Sequence, residues 1–130
     1  MKPVKLTSLV PMLPVRSIAV SVEFYQKMLG FTVEKRNDEW GWATLCLHEC
    51  RLMIDQSLNA YPQAPRQSVI YLYPADIVEY HKQVRQNGLP VPDLRVTFYG
   101  MKEFRILDPD GNGLWIGQRA TPDELVNTGG

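Results

Sequence analysis

Two carboxylates and one guanidinium are the charged side chains that this sequence offers as ligand anchors. Glu103 and Arg105 lie two positions apart in the segment 99–116, which reads as two short strands joined by a turn, and Asp55 ends an earlier apolar segment. Acid–base catalysis needs a positioned proton donor or acceptor, and Glu103 with Asp55 is the pair that the sequence offers. The alternative for Glu103 and Arg105 is a cross-strand pair at the surface.

Aromatic and methionine side chains are the second group suited to binding a ligand. Four aromatic residues could stack on a flat molecule: Trp40, Trp42, Tyr99 and Trp115. Three methionines could give an adaptable apolar lining: Met12, Met53 and Met101. For any one of these side chains, packing in the hydrophobic core is the alternative. The sequence does not decide which face of its strand points inward, and so the direction of the Trp42 side chain stays open.

The two histidines and two cysteines do not suggest a metal site. His48 lies in a predicted turn and His81 on a charged helix face beside Lys82, so both histidines are expected to be solvated. Cys46 and Cys50 are expected to be reduced and partly buried, with a disulfide as the alternative. As zinc ligands they lack a second pair of ligands at a suitable spacing.

Asp108, Asp110 and Asn112 match the first ligand positions of an EF-hand calcium loop. The twelfth position would be Arg119, where such a loop needs a bidentate glutamate. No helical pattern leads into the loop either. The same residues fit a tight Asp-Pro-Asp-Gly-Asn turn, in which Gly111 accepts a positive φ, and we predict this turn.

The predicted elements repeat along the chain: a strand, a helix and three strands occur twice in the same order. In the first segment, strands are predicted at 9–15, 31–36, 40–47 and 51–55, with a helix capped by Ser17 and ended by Gly30. In the second, strands are predicted at 68–73, within 91–99 and on both sides of the turn, with a helix begun by a capping box of Asp76 and Glu79 and ended by Gly88.

The spacing of matching features supports a duplication. Gly30 and Gly88 are 58 positions apart, and so are Val15 and Tyr73. Leu52-Met53-Ile54 and Leu114-Trp115-Ile116 are 62 positions apart, which four extra residues in the second copy would explain. We therefore predict an α+β fold of two tandem modules, with an ordinary α+β domain and coincidental spacing as the alternative.

Two passages give the chain a family resemblance. One is LPVRSI at 13–18 running into EFYQKMLGF at 23–31, and the other is YGMKEF at 99–104 running into DPDGN at 108–112. With the order of elements, they make the sequence resemble the vicinal oxygen chelate superfamily, which includes glyoxalase I, bleomycin-resistance proteins and extradiol dioxygenases. The small bleomycin-resistance type is the most similar.

The resemblance implies a single domain at 1–130, made of two βαβββ modules at about 6–58 and about 66–120. Their curled mixed sheets would surround a concave cavity, and the chain would pair in a homodimer. Whether the modules that share a cavity belong to one chain or to two stays open. A C-terminal tail follows at 121–130, in which residues 121–125 could begin a short helix.

The resemblance also implies where metal ligands would lie if this were a metal enzyme. Those enzymes place a histidine or glutamate on the first and last strand of each module. Here the four positions fall at Val10, Met53, Ser68 and Trp115, so we predict no metal and no other cofactor. A register error of two positions would instead place Asp55 at one of them.

A cavity without a metal would bind its ligand through shape, aromatic faces and a few polar groups. The resemblance therefore implies a protein that sequesters an aromatic or amphipathic molecule without altering it. The candidate binding residues are Met12, Trp42, Met53, Asp55, Tyr99, Met101, Glu103, Arg105 and Trp115. The alternatives are a lyase, isomerase or dioxygenase of the same superfamily, or a dimer with a purely structural or regulatory role. Because bleomycin is basic and this chain is neutral, bleomycin is not the expected native ligand.

The composition narrows the classes of molecule that this protein is expected to bind. The chain has 14 basic and 14 acidic residues and a formal net charge of zero, and it contains no basic run, which argues against nucleic-acid binding. It has no apolar stretch long enough to span a membrane and no signal-peptide pattern. We therefore expect a cytoplasmic protein with a small-molecule ligand.

Overall fold

The computed structural model describes residues 3–4, 8–57 and 68–126. The first module consists of β1 (Met12–Pro14), α1 (Ile18–Leu29), β2 (Thr32–Asn37), β3 (Trp42–Leu47) and β4 (Cys50–Asp55). The second consists of β5 (Val69–Leu72), α2 (Ile77–Gln86), β6 (Arg95–Val96), β7 (Met101–Leu107) and β8 (Gly113–Arg119), and α3 (Pro122–Val126) follows it. The segment between the two predicted modules and the last four residues of the predicted tail lie outside the described residues.

Each module folds into one four-stranded mixed sheet, and the two sheets have the same topology. Their strand orders are β1-β4-β3-β2 and β5-β8-β7-β6. In each sheet the first strand of the module runs parallel to the last, and the other pairings are antiparallel. The prediction of an α+β fold built from two βαβββ modules is confirmed.

Local signals set the ends of both long helices. The Ser17 hydroxyl accepts a hydrogen bond from Val20 N at the start of α1, and Gly30 ends the helix with a φ of 85°. The Asp76 side chain accepts a hydrogen bond from Glu79 N at the start of α2. These bonds satisfy backbone groups that have no partner inside a helix, and both predicted helices are confirmed.

One hydrophobic core lies on the helix side of both sheets. It joins α1 residues such as Tyr25 and Leu29 to β8 residues such as Leu114 and Ile116, all of them buried. Hydrogen bonds between the helices reinforce it, because the Tyr80 hydroxyl on α2 donates to the carbonyl of Leu29 at 2.8 Å. The two modules therefore share one interior.

The predicted turn at 108–112 also connects the modules. Both Asp108 oxygens accept hydrogen bonds from this turn, and Oδ2 also accepts one from the Tyr25 hydroxyl on α1 at 2.8 Å. The Asn112 amide donates to the carbonyl of Pro14 at 3.1 Å, and Gly111 has a φ of 85°. The turn prediction is confirmed, and protein donors occupy both carboxylate oxygens of Asp108.

The prediction that a strand begins at Trp40 was wrong. Trp40 precedes β3, in a turn where its backbone N–H bonds to Asn37 Oδ1 and its side chain is exposed. Gly41 follows with a φ of 71°, so Trp40 does not lie on the sheet. The weak strand predicted within 91–99 is present as β6, which has two residues.

His81 was expected to be solvated, and this was wrong. Its ring is buried against Phe104, with 4.9 Å between ring centroids, and its Nε2 lies 2.8 Å from the carbonyl oxygen of Pro92. The adjacent Lys82 made the helix face look polar, but His81 falls on the buried stripe. His48 is exposed in the turn between β3 and β4, as expected. Both cysteines are free; Cys46 is half-buried and Cys50 is exposed.

Candidate functional site

Each sheet packs one face against its helix, and we call the other the open face. On the first sheet, Met12 on β1 is the neighbour of Met53 on β4, and Asp55 on β4 is the neighbour of Trp42 on β3. Side chains alternate along a strand, so these four residues share the open face. The Trp42 side chain, whose direction the sequence left open, therefore lies on the face of the sheet away from the helix.

The open face of the second sheet carries the other five predicted residues. Arg105 on β7 is the neighbour of Trp115 on β8, and Met101 and Glu103 lie on the same side of β7 by alternation. Tyr99 precedes β7 and turns its hydroxyl back to Glu103. The structure therefore divides the predicted site into four residues on one sheet and five on the other.

Glu103 is the centre of a hydrogen-bond network on the second open face. Its Oε1 accepts bonds from the Tyr99 hydroxyl and from Arg105 Nε at 3.0 Å, and its Oε2 accepts one from the Tyr71 hydroxyl at 2.7 Å. A second nitrogen of Arg105 donates to the Tyr99 oxygen at 2.9 Å. The alternative of a cross-strand surface pair is wrong, because Glu103 and Arg105 share one strand and Glu103 is fully buried.

This network sets the protonation of its members. Burial alone would raise the pKa of Glu103, but the hydrogen bonds from Tyr99, Tyr71 and Arg105 outweigh burial and hold that pKa below its usual range. Burial, and then the hydrogen bond to Glu103, raise the pKa of the Tyr71 hydroxyl. Near neutral pH the site therefore holds an ionised carboxylate and a protonated phenol.

Aromatic rings surround the charged pair. The Arg105 guanidinium carbon lies 3.5 Å from the centroid of the Trp115 ring, a cation–π contact. The Tyr71 ring meets the Trp115 ring edge-on, with 6.5 Å between their centroids, and the centroid of the Tyr73 ring lies 4.7 Å from that of Tyr71. Rings and charges thus hold one another in place before any ligand arrives.

Gly117 makes this arrangement sterically possible. It is the β8 neighbour of Glu103, and the Tyr71 side chain lies across it. A Cβ at this position would collide with the Tyr71 hydroxyl and would lie 2.9 Å from the Cβ of Glu103. Only glycine leaves room for Tyr71 to reach Glu103.

Three residues of this region were missed by the sequence analysis: Tyr71, Arg95 and Gly117. Tyr71 is the parallel-strand neighbour of Trp115, and Arg95 on β6 is the antiparallel neighbour of Glu103. Tyr71 lies inside a predicted strand, so alternation together with the correct register would have found it. Arg95 lies in a segment whose strand pattern is weak, and the sequence contains no comparable signal for it.

A groove of about 380 Å³ opens beside the network. It is lined by Arg95, Val96, Thr97, Phe98, Tyr99 and Arg105. Two of these side chains are cationic, two are aromatic, and none is acidic. The groove lies at the small end of the range for ligand pockets.

Asp55 and Glu103 are not brought together as an acid–base pair. Asp55 ends β4 on the first sheet, and its Oδ1 accepts hydrogen bonds from the backbone N–H and the hydroxyl of Ser57 at 2.7 and 2.6 Å. Glu103 lies on the second sheet with its own donors. Each carboxylate is held by different partners.

The register corrects one of the four implied metal positions. Met12 pairs with Met53, and Tyr71 pairs with Trp115, so equivalent residues on the first strands are 59 positions apart rather than 58. The counterpart of Val10 is then Val69 and not Ser68. Ser68 precedes β5, and its carbonyl accepts a hydrogen bond from Gly113 N.

The side chains at these positions do not fit a divalent metal. Two valines, a methionine and a tryptophan offer no carboxylate or imidazole, and the Arg105 cation covers Trp115. Within residues 3–4, 8–57 and 68–126, no three histidine, cysteine, aspartate or glutamate residues are grouped so that they could hold a metal ion. No helix in these ranges is long and apolar enough to cross a membrane.

Three solved structures show the same fold. A bleomycin-binding protein in complex with bleomycin has a TM-score of 0.72 and 24% identity, over 88% of this chain and 99% of that one. A bleomycin resistance determinant encoded on transposon Tn5 has a TM-score of 0.73 and 22% identity, over 89% and 100%. Lactoylglutathione lyase from Agrobacterium tumefaciens has a TM-score of 0.68 and 16% identity, over 87% and 94%.

A search of curated proteins finds no match to the chain. A family model, in contrast, covers most of the sequence. It describes the Glyoxalase/Bleomycin resistance protein/Dioxygenase superfamily and matches residues 7–116. The matched range holds all elements from β1 to β7, the turn at 108–112 and the first part of β8. The resemblance inferred from the sequence is confirmed, and this chain belongs to the Glyoxalase/Bleomycin resistance protein/Dioxygenase superfamily.

Proposed function

We propose that this protein binds a small aromatic or amphipathic molecule on its open sheet faces and sequesters it without a metal and without altering it. The observation that carries the proposal is the cluster of Tyr71, Tyr99 and Trp115, whose orientation is fixed by Glu103 and Arg105. A rigid aromatic surface with its polar groups already paired gives up little conformational entropy when it binds a flat molecule.

The family adds support of a general kind. One structural neighbour is described as bound to bleomycin and another as a resistance determinant, which supports small-molecule binding here. The neutral net charge of this chain supports a ligand other than a basic drug. It also supports a small molecule rather than a nucleic acid as the partner, and we keep the cytoplasmic location as part of the proposal.

We further propose that the binding cavity forms between two copies of the chain. The contacts that join the modules come from the helix side and from the turn at 108–112, and Met12 and Tyr73 on the open faces remain exposed. The open face of one module would then be covered by that of the other module in a partner chain. Native mass spectrometry should show a homodimer, and a monomer at micromolar concentration would contradict this part of the proposal.

An enzyme of the same superfamily is the alternative. A general base works best when its pKa lies near the working pH, whereas the network lowers the pKa of Glu103. Asp55 lies on the other sheet. Both observations support binding over acid–base catalysis by these carboxylates.

A thermal-shift screen of aromatic compounds on chelator-treated protein tests the proposal. Ligands should raise the Tm of the wild type and of Trp40→Ala, because Trp40 lies off the sheet. Trp115→Ala should weaken the affinity for these ligands by about tenfold or more, which corresponds to about 1.4 kcal/mol. Trp115→Phe should restore part of the lost affinity.

Circular dichroism would first establish that the variants are folded. Three results would contradict the proposal: ligands that bind only after a divalent metal is restored, ligands that bind Trp115→Ala as well as the wild type, or ligands that the protein consumes. Recovery of the unchanged compound after denaturation distinguishes sequestration from turnover.

A further inference from the structure

Arg95 and Arg105 place two guanidinium groups at one groove on the second open face. Arg95 is the direct neighbour of Glu103 across the β6–β7 ladder, so it lies on the same side of the sheet as the Glu103 network. The groove lining contains both arginines, and it contains no acidic residue. Its electrostatic character is therefore cationic.

The charge of Arg105 is balanced within the site, but that of Arg95 is not. Arg105 forms an ion pair with Glu103 at 3.0 Å. The acidic residue nearest to Arg95 in sequence, Asp93, is already paired with Arg85 at 2.6 Å, and among the described residues Arg95 forms no ion pair. The remaining stretches, 1–2, 5–7, 58–67 and 127–130, contain no aspartate or glutamate. Arg95 thus supplies an unbalanced positive charge at the groove.

Two aromatic residues, Phe98 and Tyr99, also line the groove. Phe98 is fully exposed, and its ring meets that of Tyr99 edge-on at 5.1 Å between centroids. A tight turn carries both residues: Gly100 has a φ of 85°, and its N–H donates to the carbonyl of Thr97 at 3.0 Å. A ligand that covers the exposed Phe98 ring removes apolar surface from water, which favours binding.

Glu103 does not cancel this cationic character. Its two oxygens accept three hydrogen bonds from Tyr71, Tyr99 and Arg105, so its negative charge is already compensated on the inner side of the groove. An approaching ligand meets the Arg95 guanidinium and two rings.

We propose that the ligand is a flat aromatic anion, with its ring against Phe98 and Tyr99 and its oxyanion paired with Arg95. This inference deepens the proposed small-molecule binding and rests on it. The planar fork of a guanidinium matches the oxygens of carboxylate, sulfonate or phosphate groups, so the inference specifies an aromatic ring with one such group. A basic ligand would meet repulsion at the same place.

Two fluorescent probes with the same ring skeleton provide the test. 1-Anilinonaphthalene-8-sulfonate carries a sulfonate, and N-phenyl-1-naphthylamine lacks it. Titrated into the full-length protein, the sulfonate should bind at least about tenfold more tightly, and its affinity should fall as salt is raised. Phe98→Ala should weaken both probes, because each places a ring on this side chain.

Arg95→Gln should weaken binding of the sulfonate about five- to tenfold and leave the uncharged probe unchanged. The matched control is Lys82→Gln, which removes the same charge from α2 on the helix side of the same sheet and should leave both affinities unchanged. A loss of equal size in Lys82→Gln and Arg95→Gln would show an effect of net charge alone and would overturn the inference.

The remaining outcomes separate this inference from the proposed function. If both probes bind equally well and Arg95→Gln changes neither, aromatic binding stands and the preference for an anion is wrong. If neither probe binds, this inference fails, and the thermal-shift screen decides the proposed function. A sulfonate preference that depends on Arg95 supports both.

Discussion

Glu103 shows how one buried carboxylate can organise a surface. Two tyrosine hydroxyls and a guanidinium reach it from β5, from the segment before β7 and from β7 itself. Each donor is fixed by the shared acceptor, so the rings that carry the hydroxyls are fixed as well. The carboxylate therefore acts on ligand binding through Tyr71, Tyr99 and Arg105 as a positioning group.

Stability should depend on the ionisation of Glu103. Its pKa in the folded protein lies below the ordinary value of 4.5, so its ionised form stabilises the fold above that value, and the contribution is lost as the pH falls through the folded pKa. Glu103→Gln should lower the free energy of unfolding at pH 7 by about 1–3 kcal/mol. Urea titrations should show this difference shrinking below about pH 4.5.

Glu49→Gln, in the exposed turn between β3 and β4, is the control for losing one negative charge at the surface. A stability difference between Glu103→Gln and the wild type that stayed constant from pH 7 to pH 3 would contradict this role of the carboxylate.

Gly117→Ala should destabilise the protein by about 1–3 kcal/mol, because the added Cβ would displace the Tyr71 hydroxyl from Glu103. Tyr71→Phe removes that hydroxyl, so Gly117→Ala should be less damaging in the Tyr71→Phe background. A double-mutant cycle from urea denaturation measures this coupling. Additive effects of the two substitutions would contradict the proposed collision.

At the scale of elements, the turn between β7 and β8 does more than reverse the chain. Asp108 binds two backbone N–H groups of the turn, the Asn112 amide and the Tyr25 hydroxyl of α1. Asp110 accepts a further bond from the backbone N–H of Arg16 at 2.9 Å. A hairpin turn of the second module thus fixes the position of the first module's helix.

Asp108→Asn should therefore destabilise the fold by about 2–4 kcal/mol, because it removes a buried charged acceptor and places an amide donor against other donors. Tyr25→Phe removes one bond only and should lower the free energy of unfolding by about 1–2 kcal/mol. Chemical denaturation of both single variants and of the double variant gives the values. Equal, small effects would show that the turn does not hold the modules together.

Elements that depend on local signals were predictable from the sequence, and features that depend on contacts between distant segments were not. The helix caps at Ser17 and Asp76 and the turn at 108–112 depend on residues within a few positions, and all three were predicted. His81 was misplaced because its burial depends on Phe104 in another element. Arg95 was missed because β6 is a two-residue strand that pairing with β7 creates.

The structure groups the predicted site residues by sheet face. The resemblance implied that Met53 and Trp115 occupy equivalent positions on the last strands of the two modules, and both side chains lie on the open faces. Tyr71 was missed because the spacing inferred between the first strands of the two modules was 58 positions instead of 59. An error of one position assigns every side chain of a strand to the opposite face of the sheet. The contact of Tyr71 with Glu103 depends on the parallel pairing of β5 with β8, which no local pattern encodes.

On the scale of the whole molecule, the shared helix-side core makes the two modules one unit. Leu45 on β3 and Leu114 on β8 are fully buried in the same cluster. Neither module has an interior of its own that the other does not help to close. We therefore expect the chain to unfold in one cooperative step.

Leu45→Ala and Leu114→Ala should each lower the free energy of that single transition by about 2–5 kcal/mol. Tryptophan fluorescence of Trp115→Phe reports on the first module through Trp40 and Trp42, and circular dichroism reports on both modules. The two probes should give coincident curves in every variant. A separate early transition caused by either substitution would show that the modules unfold independently.

The Glu103 network also bears on how this surface can acquire a new specificity. Three donors converge on one carboxylate, so the protein resembles an anion receptor that already holds a tethered guest. A short neutral side chain at position 103 would leave the three donors without their shared acceptor, and a free carboxylate such as acetate or formate could take its place and bring them together again. A single substitution in this protein can thus create a binding site by emptying a position instead of adding a contact.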